Sequence, residues 1–477
     1  MADHQDPVAS GWREVTQGPG LIRLALVMGC VSLHAMDIFV IATILPSVVA
    51  DIQGVAFYAW PSALYVVASI MGAASGGMLG SNLGLRRALT IAASVYLLGA
   101  LICASAPIMA VFLVGRTFQG LGGGLLVSLA FTMTRQLFDE SQRPRVFAFM
   151  SVIWGVAALV GPIMAGVFAQ LGFWRGVYWL TVPIFLILLA LARRALPAET
   201  PTATGVKLPW ERLLLLGAAV LCVTISGQTA NIGLRLTLVL GAVLGLAAML
   251  RLDHTADNPL LPSSPVSLRR VVGTGYWVFF LLSFSYTPLS IFLPLMAQRL
   301  HEVPPSLAGY VSAALSIGWS TGAFATVSAT PRLQGILMVT GPLCLLAGIA
   351  GQSLFVVSGP LAALVAMVFL TGLGIGQCYA HISNTAMSHA KPGEEALTAG
   401  AIPTMQTLGI AFGAATAGLL ANMAGLSGGI TVATLTAVTE WLYGFALIPA
   451  ICTVLVALRL VWLLRSGAHS KKMRSDS

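Results

Sequence analysis

Long apolar runs alternate with short polar turns along almost the whole chain, and the length of the runs sets the architecture. Crossing the ~30 Å hydrocarbon layer of a bilayer takes about 20 apolar residues in a helix. Six such runs precede the first break, at about 22–49, 58–80, 88–104, 108–133, 146–171 and 176–191. A polar linker over 193–212, with Pro197, Glu199, Pro201 and Pro209, interrupts them. Two shorter runs follow, 213–232 and 234–250, the first diluted by Thr224, Ser226, Gln228 and Asn231. After a second linker over 251–272, six more runs complete the pattern: 273–296, 307–328, 335–353, 354–381, 396–423 and 441–464. The pattern predicts an all-α polytopic membrane protein of fourteen spans. It divides into a cytoplasmic tail (1–21), a six-helix bundle (22–192), two extra helices (213–250), a second six-helix bundle (273–464) and a basic tail (465–477). Twelve spans, without the middle pair, is the alternative.

Composition agrees with this reading: of 477 residues 57% are hydrophobic and only 9% charged, against about 25% charged in soluble domains. The net charge of +9 does not indicate nucleic acid, because the basic residues are dispersed in short turns instead of gathered on one face. The six cysteines stand singly within apolar runs, so neither a zinc site nor a disulfide framework is expected. The first apolar run is too long for a signal peptide's core, so the N-terminus is expected to stay on the protein, inside the cell. Lys and Arg accumulate on the cytoplasmic side of membrane proteins. With both termini inside, all but four of the 25 Lys and Arg residues fall in cytoplasmic segments. Arg175, Arg235 and Arg299 fall outside and Arg116 within the membrane. Removing both middle runs keeps this parity, so the test fixes orientation and not the span count.

An arginine in mid-span costs ~2.5–3.5 kcal/mol on insertion scales and normally faces a partner or a water-filled cavity. Asp37 and Arg116 each lie roughly 14 to 17 Å below the outer ends of their runs at 1.5 Å per residue, so they can meet. Such a pair is either a static link between two helices or a carboxylate that switches between charged and neutral forms. His34, one turn before Asp37 on the same face, is a polar histidine at a helix interface or a proton relay. Gln119, Gln377, Asn384 and Gln406 are amides in apolar runs, able to bond a ligand or another helix. Trp60, Tyr65, Phe131, Trp154, Tyr286, Trp319 and Tyr379 are candidates to line an apolar cavity or to serve as packing and interfacial anchors. Glu440 is expected at an outer boundary, in water. Gly318-Trp319-Ser320-Thr321-Gly322 fits a nucleophile-elbow pattern, but it lies inside an apolar helix and lacks the strand-turn-helix setting. The glycine runs 120–124 and 372–376 lack the setting of a phosphate loop, and all three are read as close helix contacts.

The two halves look like parallel repeats. Ile44-Leu45-Pro46 is echoed by Phe292-Leu293-Pro294, Phe112-Leu113-Val114-Gly115 by Phe369-Leu370-Thr371-Gly372, and the run Gly161 to Gly166 by Gly413 to Gly418. This alignment matches Asp37 with Ser285 and Arg116 with Leu373, so buried charge belongs to the first half only.

At these motifs the sequence resembles the major facilitator superfamily, and within it the fourteen-span drug:proton antiporters. Asp37 with the Ile44-Leu45-Pro46 ending resembles that group's first-span motif, with Ala42 where Asn is usual and Ile44 where Ala is usual. Arg116-Thr117-Phe118-Gln119-Gly120 resembles the fourth-span RxxQG motif linked to proton coupling. Gly155, Gly161, Pro162 and Gly166 resemble the fifth-span antiporter motif, although Gly161 and Ala165 also have the spacing of close helix packing. Gly77, Gly84, Arg86 and Arg87 fit the family's cytoplasmic loop motif, but Ser81 replaces its acid and Asn82 the following base. A charge-based latch is therefore not expected there, and Ser81 is left to cap a helix N-terminus. The resemblance implies a secondary transporter in the plasma membrane, with two bundles around a central cavity. It implies exchange of protons for small hydrophobic or amphipathic compounds such as drugs, driven by the proton gradient with no cofactor or metal. Asp37, Arg116 and His34 would couple protons, and Gln119, Trp154, Tyr286, Gln377 and Tyr379 would line the cavity. A proton-coupled importer or facilitator on the same fold is the alternative. A membrane-embedded enzyme is disfavoured, since no set of His, Cys, Asp or Glu has catalytic spacing.

Overall fold

A computed structural model describes residues 15–139, 142–196, 209–256, 259–262, 265–326, 328–392 and 394–475. Among them the only regular structure is helical. The chain divides into two compact units, Met1–Gln53 with Leu64–Trp210, and Gly54–Ala63 with Glu211–Ser477.

Unit 1 holds α1 (Gly18–Ile52), α2 (Trp60–Leu83), α3 (Leu85–Ser105), α4 (Met109–Leu137), α5 (Arg143–Gln170) and α6 (Thr181–Ala195), the last preceded by the short turn Gly176–Trp179. Its core gathers Leu26, Val27 and Val31 of α1 with Leu89 and Ala92 of α3, Leu126 and Met133 of α4, and Leu188 of α6. Small residues decide how closely these helices approach. A Cβ on Gly120 or Gly124 would strike the backbone of Tyr65 or Ser69 in α2, and one on Gly122 would strike Tyr96 in α3. Gly161 brings α5 onto Phe39 of α1 in the same way. The glycine run of α4 is therefore a packing seam, as its sequence setting predicts.

Unit 2 holds α7 (Trp210–Ser226), α8 (Ile232–His254), α9 (Val271–Leu300), α10 (Pro305–Thr326), α11 (Pro331–Phe355), α12 (Leu361–Ser388), α13 (Glu395–Met423) and α14 (Val432–Ser475). Gly372 and Gly376 of α12 meet the backbone of Leu315 and Trp319 in α10, while Gly318 and Gly322 of α10 meet Phe369 and Leu373 in α12. The pentapeptide at 318–322 is thus one side of a helix contact. The segment Gly54–Ala63 also packs here: the Ala56 carbonyl accepts from Gln228 Nε2 at 2.8 Å and Asn422 Nδ2 at 2.7 Å, and Tyr58 stacks on Phe292 with ring centroids 4.9 Å apart.

Among the described residues twelve helices are long and apolar enough to cross a membrane, against an expectation of fourteen. They are not simply the two sets of six. The twelve include α8 but omit α7, which has 17 residues, and α10, whose run is diluted by Ser306, Ser312, Ser316, Ser320, Thr321 and Thr326. Several boundaries also move. The expected break between Ser353 and Leu354 lies later, in the turn 356–360, where Ser358-Gly359-Pro360 cannot continue a helix. The last helix starts at Val432 and runs to Ser475, past both expected ends of 441–464.

The packing also corrects the register of the repeat. Gly120, Gly122 and Gly124 touch α2, α3 and α2 in turn, just as Gly372, Gly374 and Gly376 touch α10, α11 and α10. Gly120 is therefore the counterpart of Gly372, and the sequence match of 112–115 with 369–372 is more than a helical turn out. In the corrected register the counterpart of Arg116 is Val368, not Leu373, and that of Gln119 is Thr371.

Candidate functional site

The mid-span charges meet inside unit 1. Arg116 Nη1 on α4 lies 2.8 and 2.7 Å from the two carboxylate oxygens of Asp37 on α1, with both side chains buried. The same nitrogen donates to Gln119 Oε1 at 3.0 Å, one turn along α4 and on the same face. That amide oxygen also faces Cys103 Sγ of α3 at 3.5 Å. The guanidinium carbon stands 4.5 Å from the centroid of the Tyr65 ring on α2, a cation–π contact that stabilises charge in a dry setting. The Tyr65 hydroxyl in turn lies 2.8 Å from His34 Nδ1. Tyr96 of α3 donates to the Leu33 carbonyl at 3.2 Å, closing the cluster against α1. Four helices thus enclose one ion pair.

His34 reaches this pair through Tyr65, with ring centroids 5.6 Å apart, and Trp154 on α5 stands edge-on to the His34 ring with centroids 6.1 Å apart. A continuous line runs from His34 through Tyr65 to Arg116, Gln119 and Asp37. The Asp37 carboxylate and the His34 imidazole are the members of this line that can bind or release a proton while the guanidinium stays charged.

Gln119, a candidate for the cavity, is buried against Arg116, and Tyr65 is buried as well, its ring under the guanidinium. The remaining cavity candidates are distributed over both units. Trp154 is exposed in unit 1. In unit 2 the Tyr379 hydroxyl donates to Gln406 Oε1 at 2.9 Å, its ring 5.5 Å from Trp319. Gln377 turns toward α11, 3.5 Å from Thr340 Oγ1 and Cys344 Sγ. Tyr286 lines a void of about 10 Å³ together with Ser290, Leu315, Gln352, Val368 and Thr371, room for about one water. Through Val368 and Thr371 this void is the neutral counterpart of the Arg116 site, closed by Gln352 Nε2 on Thr371 Oγ1 at 2.7 Å and Tyr443 on Gln352 Oε1 at 3.2 Å.

Of the antiporter-motif residues, Gly161, Pro162 and Gly166 are buried, whereas a Cβ on Gly155 would meet nothing within 4 Å. In the loop motif Gly84 has φ +78°, a conformation that side chains disfavour, and it alone separates α2 from α3. It is also the N-cap of α3, which has no side-chain cap. Ser81 lies within α2, near its C-terminal end, and not at the N-terminus of a helix as expected. Arg86 instead donates to the carbonyls of Arg193, at 2.8 Å, and Leu196, satisfying acceptors that the end of α6 leaves open. Arg87 is exposed and Gly77 stands in open space.

Sequence reasoning missed the roles of Tyr65, Tyr96 and Cys103 around the guanidinium. A signal existed in principle, since a buried guanidinium with five donors needs more partners than one carboxylate.

The chain is 32% identical over 433 residues to a probable multidrug-efflux transporter of Mycobacterium tuberculosis, covering 87% of this chain and 90% of that one. It is 24% identical to multidrug resistance protein 3 of Bacillus subtilis, over 77% of this chain and 73% of that one. Its fold is similar to a crystal structure of the peptide transporter POT in complex with sulfate, at TM-score 0.65 and 17% identity, over 92% of this chain and 95% of that one. Residues 27–414 match the family model of the Major Facilitator Superfamily, and the chain, a multi-pass membrane protein, belongs to that superfamily.

Proposed function

We propose that this protein is a multidrug efflux transporter that exchanges protons for small hydrophobic or amphipathic compounds, drawing on the proton gradient without a cofactor. The observation that carries the proton-coupled part is the buried Arg116–Asp37 pair with its Gln119 and Tyr65 partners; the efflux part rests on the names of the relatives. A ligand shifts an equilibrium only if it favours one state over the other. Deprotonated Asp37 holds Arg116, and protonation removes the charge that holds it, freeing α1 and α4 to rearrange. His34 and Tyr65 form the polar margin of this switch.

Asp37→Asn keeps the shape of the neutral acid and cannot titrate. In proteoliposomes with an imposed pH gradient the variant is expected to insert at normal levels and to lose gradient-driven transport. Full gradient-driven transport by Asp37→Asn would reduce the pair to a static link.

We further read the chain as fourteen spans with both termini in the cytoplasm of a plasma-membrane protein. Two contacts support the count. Arg212, near the start of α7, pairs with Asp253, near the end of α8, so the two helices form a hairpin and cross together. The glycines of α10 and α12 interlock over successive turns, so α10 runs along a helix that spans.

A further inference from the structure

A cavity of about 440 Å³ lies in unit 1 beside the C-terminal end of α4, within the ~300–1,000 Å³ range of small-molecule sites. Among the described residues Ser128, Phe131, Thr132, Arg135, Gln136 and Arg143 line it, two cations and no acid. Arg143 is fixed in place, its Nη2 donating to the Arg135 carbonyl at 2.9 Å and its Nε to the Phe138 carbonyl at 3.2 Å. This draws one guanidinium to the backbone of the residue that bears the other. The Arg135 guanidinium makes no hydrogen bond or ion pair with a described residue. Two like charges in one cavity repel, and an anion set on both relieves the repulsion while accepting charge-assisted hydrogen bonds. Beside them Phe131 and Phe147 are exposed, their ring centroids 5.7 Å apart, and form an apolar wall. Ser128 and Thr132 complete the lining, with the Thr132 hydroxyl donating to the Ser128 carbonyl at 3.0 Å.

We propose that this cavity binds small amphipathic acids, the carboxylate or sulfonate on Arg135 and Arg143 and the apolar body on Phe131. The cargo of the transporter then includes anionic compounds, captured on the side where α4 ends. Naming the occupant as cargo rests on the efflux reading; its binding does not.

The test uses the full chain in phosphatidylcholine nanodiscs, titrated calorimetrically with naphthalene-2-sulfonate and with its neutral twin naphthalene-2-methanol. Arg135→Gln, an exposed position with no described partner to lose, is expected to weaken sulfonate binding about tenfold and to leave the neutral compound unchanged. Arg135→Lys is expected to restore most of the affinity. Equal sulfonate affinity in the parent and Arg135→Gln, or no sulfonate binding by the parent, overturns the proposal. Sulfonate binding that disappears when phosphatidylglycerol replaces phosphatidylcholine at matched ionic strength assigns the cavity to a lipid headgroup and overturns the cargo assignment. Intact binding without transport counts against efflux and leaves the site standing.

Discussion

A guanidinium brings five N–H donors and a charge it does not give up, and at position 116 both have to be satisfied away from water. Asp37 answers the charge, Gln119 takes a further bond, and the Tyr65 face takes the plane of the ion. A lysine at this position keeps the charge but has no plane to stack and no fork to share between a carboxylate and an amide. Arg116→Lys is therefore expected to express and insert, yet to lower proton-driven transport by about tenfold or more. Near-parental transport in vesicles would mean that a point charge is enough. Asp37 and Arg116 were legible in the sequence because charge is so costly in an apolar run that two such residues at one depth single each other out. Gln119 was legible as an amide but not as the partner of Arg116, although its one-turn spacing puts it on the same face. Tyr65 was read only as one aromatic among many. Its place under the guanidinium depends on how closely α2 approaches α4, and that distance is a tertiary property.

The approach is set by glycines, and the elements differ in how much they depend on them. Gly124 lies against the Ser69 carbonyl and Gly120 against Tyr65 itself, so a methyl group at either position forces α2 and α4 apart. Gly124→Ala is expected to destabilise unit 1 by ~1–3 kcal/mol or more, seen as a lower melting temperature of the purified protein, and to loosen Tyr65 from Arg116. Gly155→Ala, at the open position of the α5 motif, is expected to leave that temperature within about a degree of the parent. A large loss of stability there would mean that Gly155 packs as tightly as Gly161. Hydropathy located these helices well but their ends less well, because ends depend on caps that periodicity does not record. Arg23 donates to the Leu137 carbonyl, Arg143 to those of Arg135 and Phe138, and Arg86 to those of Arg193 and Leu196. The arginines counted as evidence of orientation thus also close the C-terminal ends of α4 and α6, where a cation favours the helix dipole. The repeat register was misjudged for a related reason. Matching letters aligned Phe112 with Phe369, whereas the equivalence is carried by which glycine faces which helix.

Across the molecule, charge distribution and helix packing both favour the proposed fourteen-span topology. If only the twelve helices that are both long and apolar enough crossed, α8 would cross without α7, and α10 would not cross at all. The linker after α8 would then lie outside with Arg269 and Arg270, and Arg251 beside it, against the bias that holds for the rest of the chain. The Arg212–Asp253 pair raises a second objection, since it ties the start of α7 to the end of α8. At 17 residues α7 is about 25 Å long, short for a bilayer, and hydrophobic mismatch of this size is accommodated by local thinning at modest cost. Arg235 donates to the Ser226 and Thr229 carbonyls and so secures the turn between the two helices. That turn is where the alternatives differ, and Ala230 is its exposed residue with no side-chain bond to lose. On a background with all six cysteines replaced, Ala230→Cys is expected to react with a membrane-impermeant maleimide added to intact cells. A cysteine at Arg269 is expected to react only after lysis. Labelling of both positions only after lysis would remove α7 and α8 from the membrane and leave twelve spans. Labelling of Arg269→Cys in intact cells, with Ala230→Cys protected, would mean that α8 crosses alone and would break the hairpin that Arg212 and Asp253 define.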